Sequence, residues 1–247
     1  MSSIRVARGG AELHVESHGP VDGPPVLLLH GGIGSAEDWV DQIPALAAAG
    51  HRVVAMDCRA RGRSTWGDEP LTFEVMTADA LAVLDALEIQ RADLVGWSDG
   101  AIIGLEMAVR HRERLRKLVL YGGLARADGA VAEPVMTAAF EAAYGRLSAD
   151  QLRLSPQPER FEEMQQTLFS LYAIAPTFTD DELRGITTPT LVLDGAEEEL
   201  ILPEEPVRMA ALIPGADLVI MPGTGHFAPF EQPESFNRVV VAFLVAT

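Results

Sequence analysis

The sequence contains a single cysteine and no apolar stretch long enough to cross a membrane. Cys58 has no partner for an internal disulfide bond, so nothing in the 247 residues requires an oxidising compartment. The N-terminal MSSIRVARGG lacks the apolar core of a secretory signal. Even the apolar run VVVAFLV at 239–245 is far shorter than the roughly 20 residues of a transmembrane helix. We therefore expect a soluble, cytoplasmic protein without a membrane partner.

Positive charge is also scarce. The chain has 19 Lys and Arg residues against 36 Asp and Glu, which gives a formal net charge of −17. Such a charge repels the phosphate backbone of nucleic acids, so we expect no nucleic-acid partner. Most of the acidic residues are expected on solvated surface. The hydrophobic content of 48% is enough for one large buried core.

Six short apolar runs alternate with stretches of helical spacing. Continuous runs of this kind are typical of strands buried on both faces of a parallel sheet, and their alternation with helices predicts a doubly wound α/β fold. An N-terminal hairpin, at about 4–8 and 11–17 around two glycines, is expected at the sheet edge. The six predicted strands lie at 26–29, 53–56, 93–97, 117–121, 190–194 and 217–221, and the predicted helices at 36–49, 72–88, 100–111, 204–213 and 232–246.

The alternation stops between residues 125 and 186. Two helical stretches, EPVMTAAFEAAYGRL and PERFEEMQQTLFSLYAIA, follow one another there without a strand, separated by the proline-bearing LSPQP. The sheet resumes at ITTPTLVLD. We predict a helical cap over 125–186, inserted after the sixth strand, with 1–124 and 187–247 forming the core.

The segment VGWSDGA at 95–101 places a serine between two glycines, after an apolar run and before a helical stretch. A sharp strand-to-helix turn needs small neighbours, which Gly96 and Gly100 supply, and it presents the Ser98 hydroxyl above the sheet edge. The positive end of the helix dipole favours negative charge that develops there. The pattern predicts that Ser98 is a nucleophile; the alternative is a serine that only caps the helix.

A serine hydroxyl is a poor nucleophile unless a histidine removes its proton and an acid orients that histidine. His226 follows the last predicted strand in MPGTGHFAPF, where Gly223 and Gly225 allow a loop to cross the C-terminal edge of the sheet. It also fits the chain order serine, acid, histidine. We predict that His226 is the base. Four other histidines suit surface or capping roles: His14, His18, His51 and His111.

The acid should leave the sheet at the end of the seventh strand, in LVLDGAEEELILP. Asp194 comes early, at the strand end, while Glu197 and Glu199 suit an exposed loop. Glu198 is the preferred acid, because a glutamate can hold the histidine tautomer as an aspartate does, with one more methylene.

A tetrahedral intermediate needs two backbone N–H donors at its oxygen. The glycine pair in LLLHGGIGSAEDW at 27–39 follows the third strand and can supply one of them. Gly32 and Asp99, the residue after the serine, are the predicted oxyanion donors, both through the backbone. A turn of unusual backbone geometry is the alternative role for Gly31 and Gly32. His30 is expected to brace this loop.

Through five motifs, the chain resembles the α/β-hydrolase superfamily over nearly the whole length of the chain. The motifs are HGG at 30–32, DCRARGRS at 57–64, GWSDG at 96–100, GAEEELILP at 195–203 and PGTGHF at 222–227. The GWSDG form is similar to small capped serine esterases of the biphenyl-hydrolase-like or valacyclovir-hydrolase-like type.

The resemblance implies a mostly parallel central sheet flanked by helices, with a small helical cap. It also implies a triad that works without a metal or organic cofactor, and it assigns Ser98 as nucleophile, His226 as base and Glu198 as acid. The chain departs from the family pattern at Ala60, where glycine is usual, and at Glu198, where aspartate is commoner. Asp57 and Arg59 are expected to be structural braces.

The expected function is hydrolysis of small carboxylic esters or lactones through an acyl-enzyme intermediate. Two alternatives stay open: carbon–carbon bond hydrolysis on the same triad, and a non-catalytic relative that binds a small molecule. Haloalkane dehalogenation is disfavoured because it needs an aspartate where Ser98 stands. Apolar residues near the site suit either a substrate pocket or ordinary helix packing. Those proposed for the pocket are Trp39, Trp97, Phe140, Tyr144 and Phe227, and the further apolar cap residues Phe161, Met164, Leu168 and Tyr172 suit the same two roles.

Overall fold

The computed structural model describes residues 2–246 and has an eight-stranded sheet at its centre. The spatial order of the strands is β1-β2-β4-β3-β5-β6-β7-β8. The predicted α/β fold is confirmed. In chain order the strands are β1 (Ser2–Arg8), β2 (Ala11–His18), β3 (Pro25–Leu29), β4 (Arg52–Met56), β5 (Ala92–Trp97), β6 (Leu115–Tyr121), β7 (Thr190–Gly195) and β8 (Asp217–Met221).

Strand direction determines where the functional loops meet. β1 pairs with β2, and β2 with β4, in antiparallel fashion, so the predicted N-terminal hairpin does lie at the sheet edge. All pairs from β4 through β3, β5, β6 and β7 to β8 are parallel. The carboxyl ends of these six strands therefore face one edge of the sheet, where ligands of open α/β sheets bind.

Helices cover both faces of the sheet. Residues of α2, α3 and α7 contribute to the core on one face, and residues of α1 and α9 to the core on the other. No helix within 2–246 has the length and apolar character to cross a membrane. The helices are α1 (Gln42–Ala48), α2 (Phe73–Ala86), α3 (Asp99–Arg110), α4 (Ala138–Leu154), α5 (Phe161–Tyr172), α6 (Asp180–Arg184), α7 (Glu204–Leu212), α8 (Ala228–Glu231) and α9 (Pro233–Val245).

Two local expectations are wrong. The helix expected at 36–49 is divided into a 3-10 turn, Ala36–Trp39, and α1. A continuous helix would need the N–H of residue 44 to bond the carbonyl of residue 40, and Pro44 has no N–H. The expectation of burial on both faces fails for the edge strand β8, where Leu218 and Ile220, on the same face, are exposed.

Between β6 and β7 the chain forms α4, α5 and α6, and α4 is tied to the core by polar contacts. The Arg146 guanidinium donates to the buried Asp38 carboxylate at 3.1 Å and lies 3.9 Å from the ring centre of Phe230. Gln151 accepts from the backbone N–H of Gly62 at 2.7 Å and donates to the carbonyl of Ala60 at 3.2 Å. The division into a core of 1–124 and 187–247 and a cap of 125–186 stays a prediction.

Two glycines give a matched test of the packing. Gly145 lies in α4 with open space where a Cβ would project, so Gly145→Ala should raise the free energy of unfolding by about 1 kcal/mol through helix propensity. A Cβ on Gly100 would collide with the carbonyl oxygen of Leu29, so Gly100→Ala should lower it by about 1–3 kcal/mol. Urea unfolding of both variants measures the difference. Equal midpoints for Gly100→Ala and the parent would contradict the close approach of α3 to β3.

Candidate active site

Ser98 lies at a sharp turn between β5 and α3. Its backbone is in the left-handed region, at φ 55° and ψ −115°, a conformation that costs a non-glycine residue about 1–3 kcal/mol. Its N–H donates to the carbonyl of Tyr121 at 2.8 Å, and its carbonyl accepts from Ala101 at 2.9 Å. The side chain forms no capping hydrogen bond with α3. The Ser98 hydroxyl therefore does not cap α3, which was the alternative to a role as nucleophile.

Glycines around the turn bring three segments together. A Cβ on Gly96 would collide with the carbonyl of Gly100, and a Cβ on Gly100 with the carbonyl of Leu29 at the end of β3. A Cβ on Gly31 would lie 3.2 Å from the Cβ of Ser98. The absence of these side chains lets the start of α3 and the loop after β3 approach closely, which places the predicted oxyanion loop beside Ser98.

His226 lies on the loop between β8 and α8, and contacts with four residues fix it. Its Nδ1 is 2.9 Å from both carboxylate oxygens of Glu198. Its carbonyl accepts from Nε1 of Trp97 at 2.8 Å, and its backbone N–H donates to Glu199 at 3.0 Å. A Cβ on Gly122 would lie 3.0 Å from Cε1 of the imidazole, so the ring packs directly on this glycine.

Among the residues that the structure describes, Glu198 supplies the carboxylate that contacts Nδ1 of His226. Its side chain is 5% exposed, and one oxygen accepts from the N–H of Leu200 at 2.8 Å. Glu197 is exposed, and Glu199 binds the backbone of His226 instead of its ring. Asp194 is buried behind Glu198 and hydrogen-bonds its side chain.

Glu198 shifts the pKa of both His226 and Asp194, and both of them act on the pKa of Glu198. Burial lowers the pKa of His226, but the Glu198 carboxylate outweighs it, so the pKa is raised. Burial raises the pKa of Glu198, but the charge and hydrogen bond of His226 outweigh it, so the pKa is lowered. Burial and then the charge of Glu198 raise the pKa of Asp194 to about 9. At neutral pH, Asp194 therefore carries a proton that it donates to Glu198.

A cavity of about 520 Å³ lies at this edge of the sheet, beneath α4 and α5. Ser98, His226, Gly32 and Asp99 all line it, whereas Glu198 lies behind His226. No Lys or Arg side chain of residues 2–246 lines the cavity. The lining residues that the sequence proposed for a pocket are Trp97, Phe140, Tyr144 and Phe227.

Trp39 does not line this cavity, so its predicted place in the pocket is wrong. Its ring is fully buried and lies 6.4 Å from the ring of Phe236 on α9, centroid to centroid. The 3-10 turn that carries Trp39 directs the indole into the core between the sheet and α9. An apolar residue near the oxyanion loop can line the pocket or pack in the core, and the local sequence pattern does not distinguish these two roles.

Two of the expected braces, His30 and Asp57, contact the oxyanion loop, whereas the Arg59 guanidinium binds the Asp79 carboxylate at 2.6 Å. Nε2 of His30 accepts from the N–H of Cys58 at 2.9 Å, and Nδ1 donates to the carbonyl of Gly31 at 2.7 Å. Burial lowers the pKa of His30 to about 3, which keeps the imidazole neutral, as this donor and acceptor pair requires. The Asp57 carboxylate accepts from the N–H of Ala36 at 2.6 Å.

Several polar residues of the site are missed by sequence reasoning. Glu231 accepts from the N–H of Gly225 at 2.8 Å, and the Tyr121 hydroxyl donates to the carbonyl of Gly225. Tyr172 of α5 lines the cavity, and its hydroxyl lies beside Gly32. Glu231 has a weak sequence signal, since it follows the predicted histidine within one short loop. Tyr121 has none, because only tertiary packing brings it to this edge, whereas the sequence indicates Tyr172 as an apolar cap residue but not the position of its hydroxyl.

The chain is similar to known proteins over most of its length. The model of the alpha/beta hydrolase family matches residues 26–239. RutD of Variovorax paradoxus, a protein named for carbamate hydrolysis, is 31% identical, with 94% of this chain and 96% of that protein covered. A 2-hydroxy-6-oxononadienedioate/2-hydroxy-6-oxononatrienedioate hydrolase of Cupriavidus pinatubonensis is 31% identical, with 89% of this chain and 86% of that protein covered. The crystal structure of an enol-lactonase from Burkholderia xenovorans has a TM-score of 0.78 at 25% identity, with 98% and 100% covered.

The protonated state of Asp194 predicts a pH-dependent stability. Folded Asp194 keeps its proton up to about pH 9, whereas the ordinary value for this group is 3.8, so the folded state binds more protons between the two. The stability that this proton confers is therefore complete below pH 3.8 and is lost as the pH rises through about 9. Asp194→Asn keeps the acceptor for the Gly195 N–H and supplies a permanent donor to Glu198.

We expect the variant to gain stability relative to the parent as pH rises from about 4 to about 9. Urea unfolding across this range measures the gain. Glu197→Gln removes one charge from an exposed position of the same loop and serves as the control. Parallel stability curves for Asp194→Asn and the parent would show that Asp194 is not protonated behind Glu198.

Proposed function

The chain belongs to the α/β hydrolase family, and we propose that it is a serine hydrolase that cleaves small neutral carboxylic esters or lactones through an acyl-enzyme intermediate. The observation that carries the proposal is the hydrogen-bonded pair of His226 and Glu198 at the wall of the cavity that Ser98 also lines. Nucleophile, base and orienting acid are the parts that acyl transfer requires.

In the first half-reaction, Oγ of Ser98 attacks the carbonyl carbon while Nε2 of His226 takes the hydroxyl proton. The Glu198 carboxylate at Nδ1 stabilises the imidazolium that forms. The backbone N–H groups of Gly32 and Asp99 receive the negative charge on the carbonyl oxygen, and the positive end of α3 adds to this stabilisation. The intermediate collapses when the leaving alcohol takes the proton from Nε2.

In the second half-reaction, His226 removes a proton from water, and the resulting nucleophile attacks the acyl carbon on Ser98. The Ser98 oxygen then leaves with the proton from Nε2, which releases a carboxylic acid and restores the hydroxyl. For a lactone, the released hydroxyl and carboxylate belong to one molecule.

The charge of the cavity favours neutral substrates. A substrate carboxylate would be buried without a cation on the lining and beside the acidic Asp99, which is electrostatically costly. The enol-lactonase likeness supports a cyclic ester. The named substrate of the Cupriavidus relative is a dicarboxylate, so the carbon–carbon alternative fits this cavity less well.

The test is hydrolysis of a short-chain nitrophenyl ester and a panel of neutral lactones, with labelling by a serine-directed phosphonate. Ser98→Ala should lose both labelling and at least about a thousandfold in kcat/KM. Ser170→Ala, at an exposed position of α5, is the control for loss of a serine.

A fully active Ser98→Ala variant would reject the mechanism. Ligand binding without turnover would favour the non-catalytic alternative. Faster turnover of a carboxylate-bearing carbon–carbon substrate than of any ester or lactone would reject the proposed substrate class.

Glu198→Gln tests the orienting acid. Without the carboxylate, burial dominates and the pKa of His226 falls, so the neutral base persists to lower pH. We expect kcat to fall by up to about 10⁴-fold and the acidic limb of the kcat/KM profile to move to lower pH. Glu197→Gln should leave both unchanged. An unaltered rate and profile in Glu198→Gln would assign the acid role to another residue.

A further inference from the structure

We propose that Tyr172, the last residue of α5, is a further catalytic residue that donates its hydroxyl hydrogen to the developing oxyanion, a role that depends on the proposed function. The Tyr172 hydroxyl oxygen lies 2.5 Å from the position that a Cβ on Gly32 would take. The same position is 3.9 Å from Oδ1 of Asp99. Because Gly32 and Asp99 are the two proposed backbone donors, the hydroxyl lies beside the pocket where negative charge would develop.

A buried charged pair lies next to this hydroxyl. The Asp99 side chain is 2% exposed, and its charge contributes to raising the pKa of Tyr172. The guanidinium of the fully buried Arg61 lies 3.8 Å from Oδ2 of Asp99. That oxygen has no hydrogen-bond partner within residues 2–246, and neither has Nε or Nη1 of Arg61. The Arg61 charge therefore still stabilises the Asp99 carboxylate when the Tyr172 hydrogen turns away.

The Tyr172 hydroxyl is suited to donate a hydrogen bond without being deprotonated. Burial, and then the Asp99 carboxylate, raise the pKa of Tyr172 well above its ordinary range, so the phenol stays protonated. In the resting enzyme the Asp99 carboxylate is the neighbouring acceptor for this hydrogen. As charge develops on the carbonyl oxygen, rotation about the C–O bond redirects the hydrogen to the oxyanion, and collapse of the intermediate returns it. No covalent bond changes in this step.

Tyr172 also packs its ring against Phe169, at 6.4 Å between ring centroids, so a purely structural role has to be separated from a chemical one. Tyr172→Phe keeps the ring and removes only the hydroxyl. Tyr144→Phe is the matched comparison, because the Tyr144 hydroxyl also faces the cavity but accepts from Gln165 at 2.5 Å. A hydroxyl that contributes only to substrate binding affects ground state and transition state alike.

The experiment compares two inhibitors built on the best ester substrate. A trifluoromethyl ketone forms a hemiketal oxyanion with the nucleophile, whereas the methyl ketone binds as a ground-state analogue. In Tyr172→Phe we expect kcat and trifluoromethyl ketone affinity to fall together by about 10- to 100-fold, with methyl ketone affinity nearly unchanged. In Tyr144→Phe any change should be equal for the two ketones. Thermal unfolding confirms that both variants are folded.

The outcomes separate this role from the proposed function. If the parent hydrolyses no ester or lactone and the phosphonate does not label Ser98, the proposed function fails. If the parent is labelled and active but Tyr172→Phe keeps its kcat and its preference for the trifluoromethyl ketone, only the role of Tyr172 fails. An equal loss of affinity for both ketones would also overturn it, since that result identifies a binding contact without selectivity for the oxyanion.

Discussion

The close contact between the start of α3 and the ends of β3 and β5 is the constraint on which the rest of the site depends. It exists because Gly96 and Gly100 have no side chains, and it forces Ser98 into a left-handed backbone conformation. The strain of about 1–3 kcal/mol is offset by hydrogen bonds at both the N–H and the carbonyl of the serine. The same contact brings the loop of Gly31 to the nucleophile. Turn, oxyanion loop and hydroxyl are thus positioned by one packing arrangement.

The acidity of the chain has a specific consequence at the site. Carboxylates surround a single histidine, which would be unfavourable if all of them were charged and unpaired. Glu199 and Glu231 accept hydrogen bonds from the backbone N–H groups of His226 and Gly225, respectively. These hydrogen bonds hold the histidine loop in place. Asp194 retains its proton, because burial and the neighbouring Glu198 disfavour a second charge there. The net charge is therefore a poor guide to the charge state of the site.

Much of the fold follows from local pattern. Each of the five strands from β3 to β7 contains a short apolar run, and the alternation of these runs with helices is enough to predict the sheet. Ser98 and His226 each follow the carboxyl end of a parallel strand, so chain order alone brings them to one edge, although their roles stay predictions. The place of Trp39 and the position of the Tyr172 hydroxyl could not be predicted, because they depend on how a short turn and the segment after β6 pack on distant residues.

A glutamate where aspartate is commoner raises a physical difficulty, since one more rotatable bond loosens the hold on the imidazole. The structure compensates by restraining the longer side chain at several points. Both Glu198 oxygens lie 2.9 Å from Nδ1 of His226, the Leu200 N–H binds one of them at 2.8 Å, and the protonated Asp194 is a further donor. The hydrogen bonds fix the carboxylate with less freedom than an isolated glutamate would have. Asp194 and Glu198 therefore act together to do what one shorter acid would do alone.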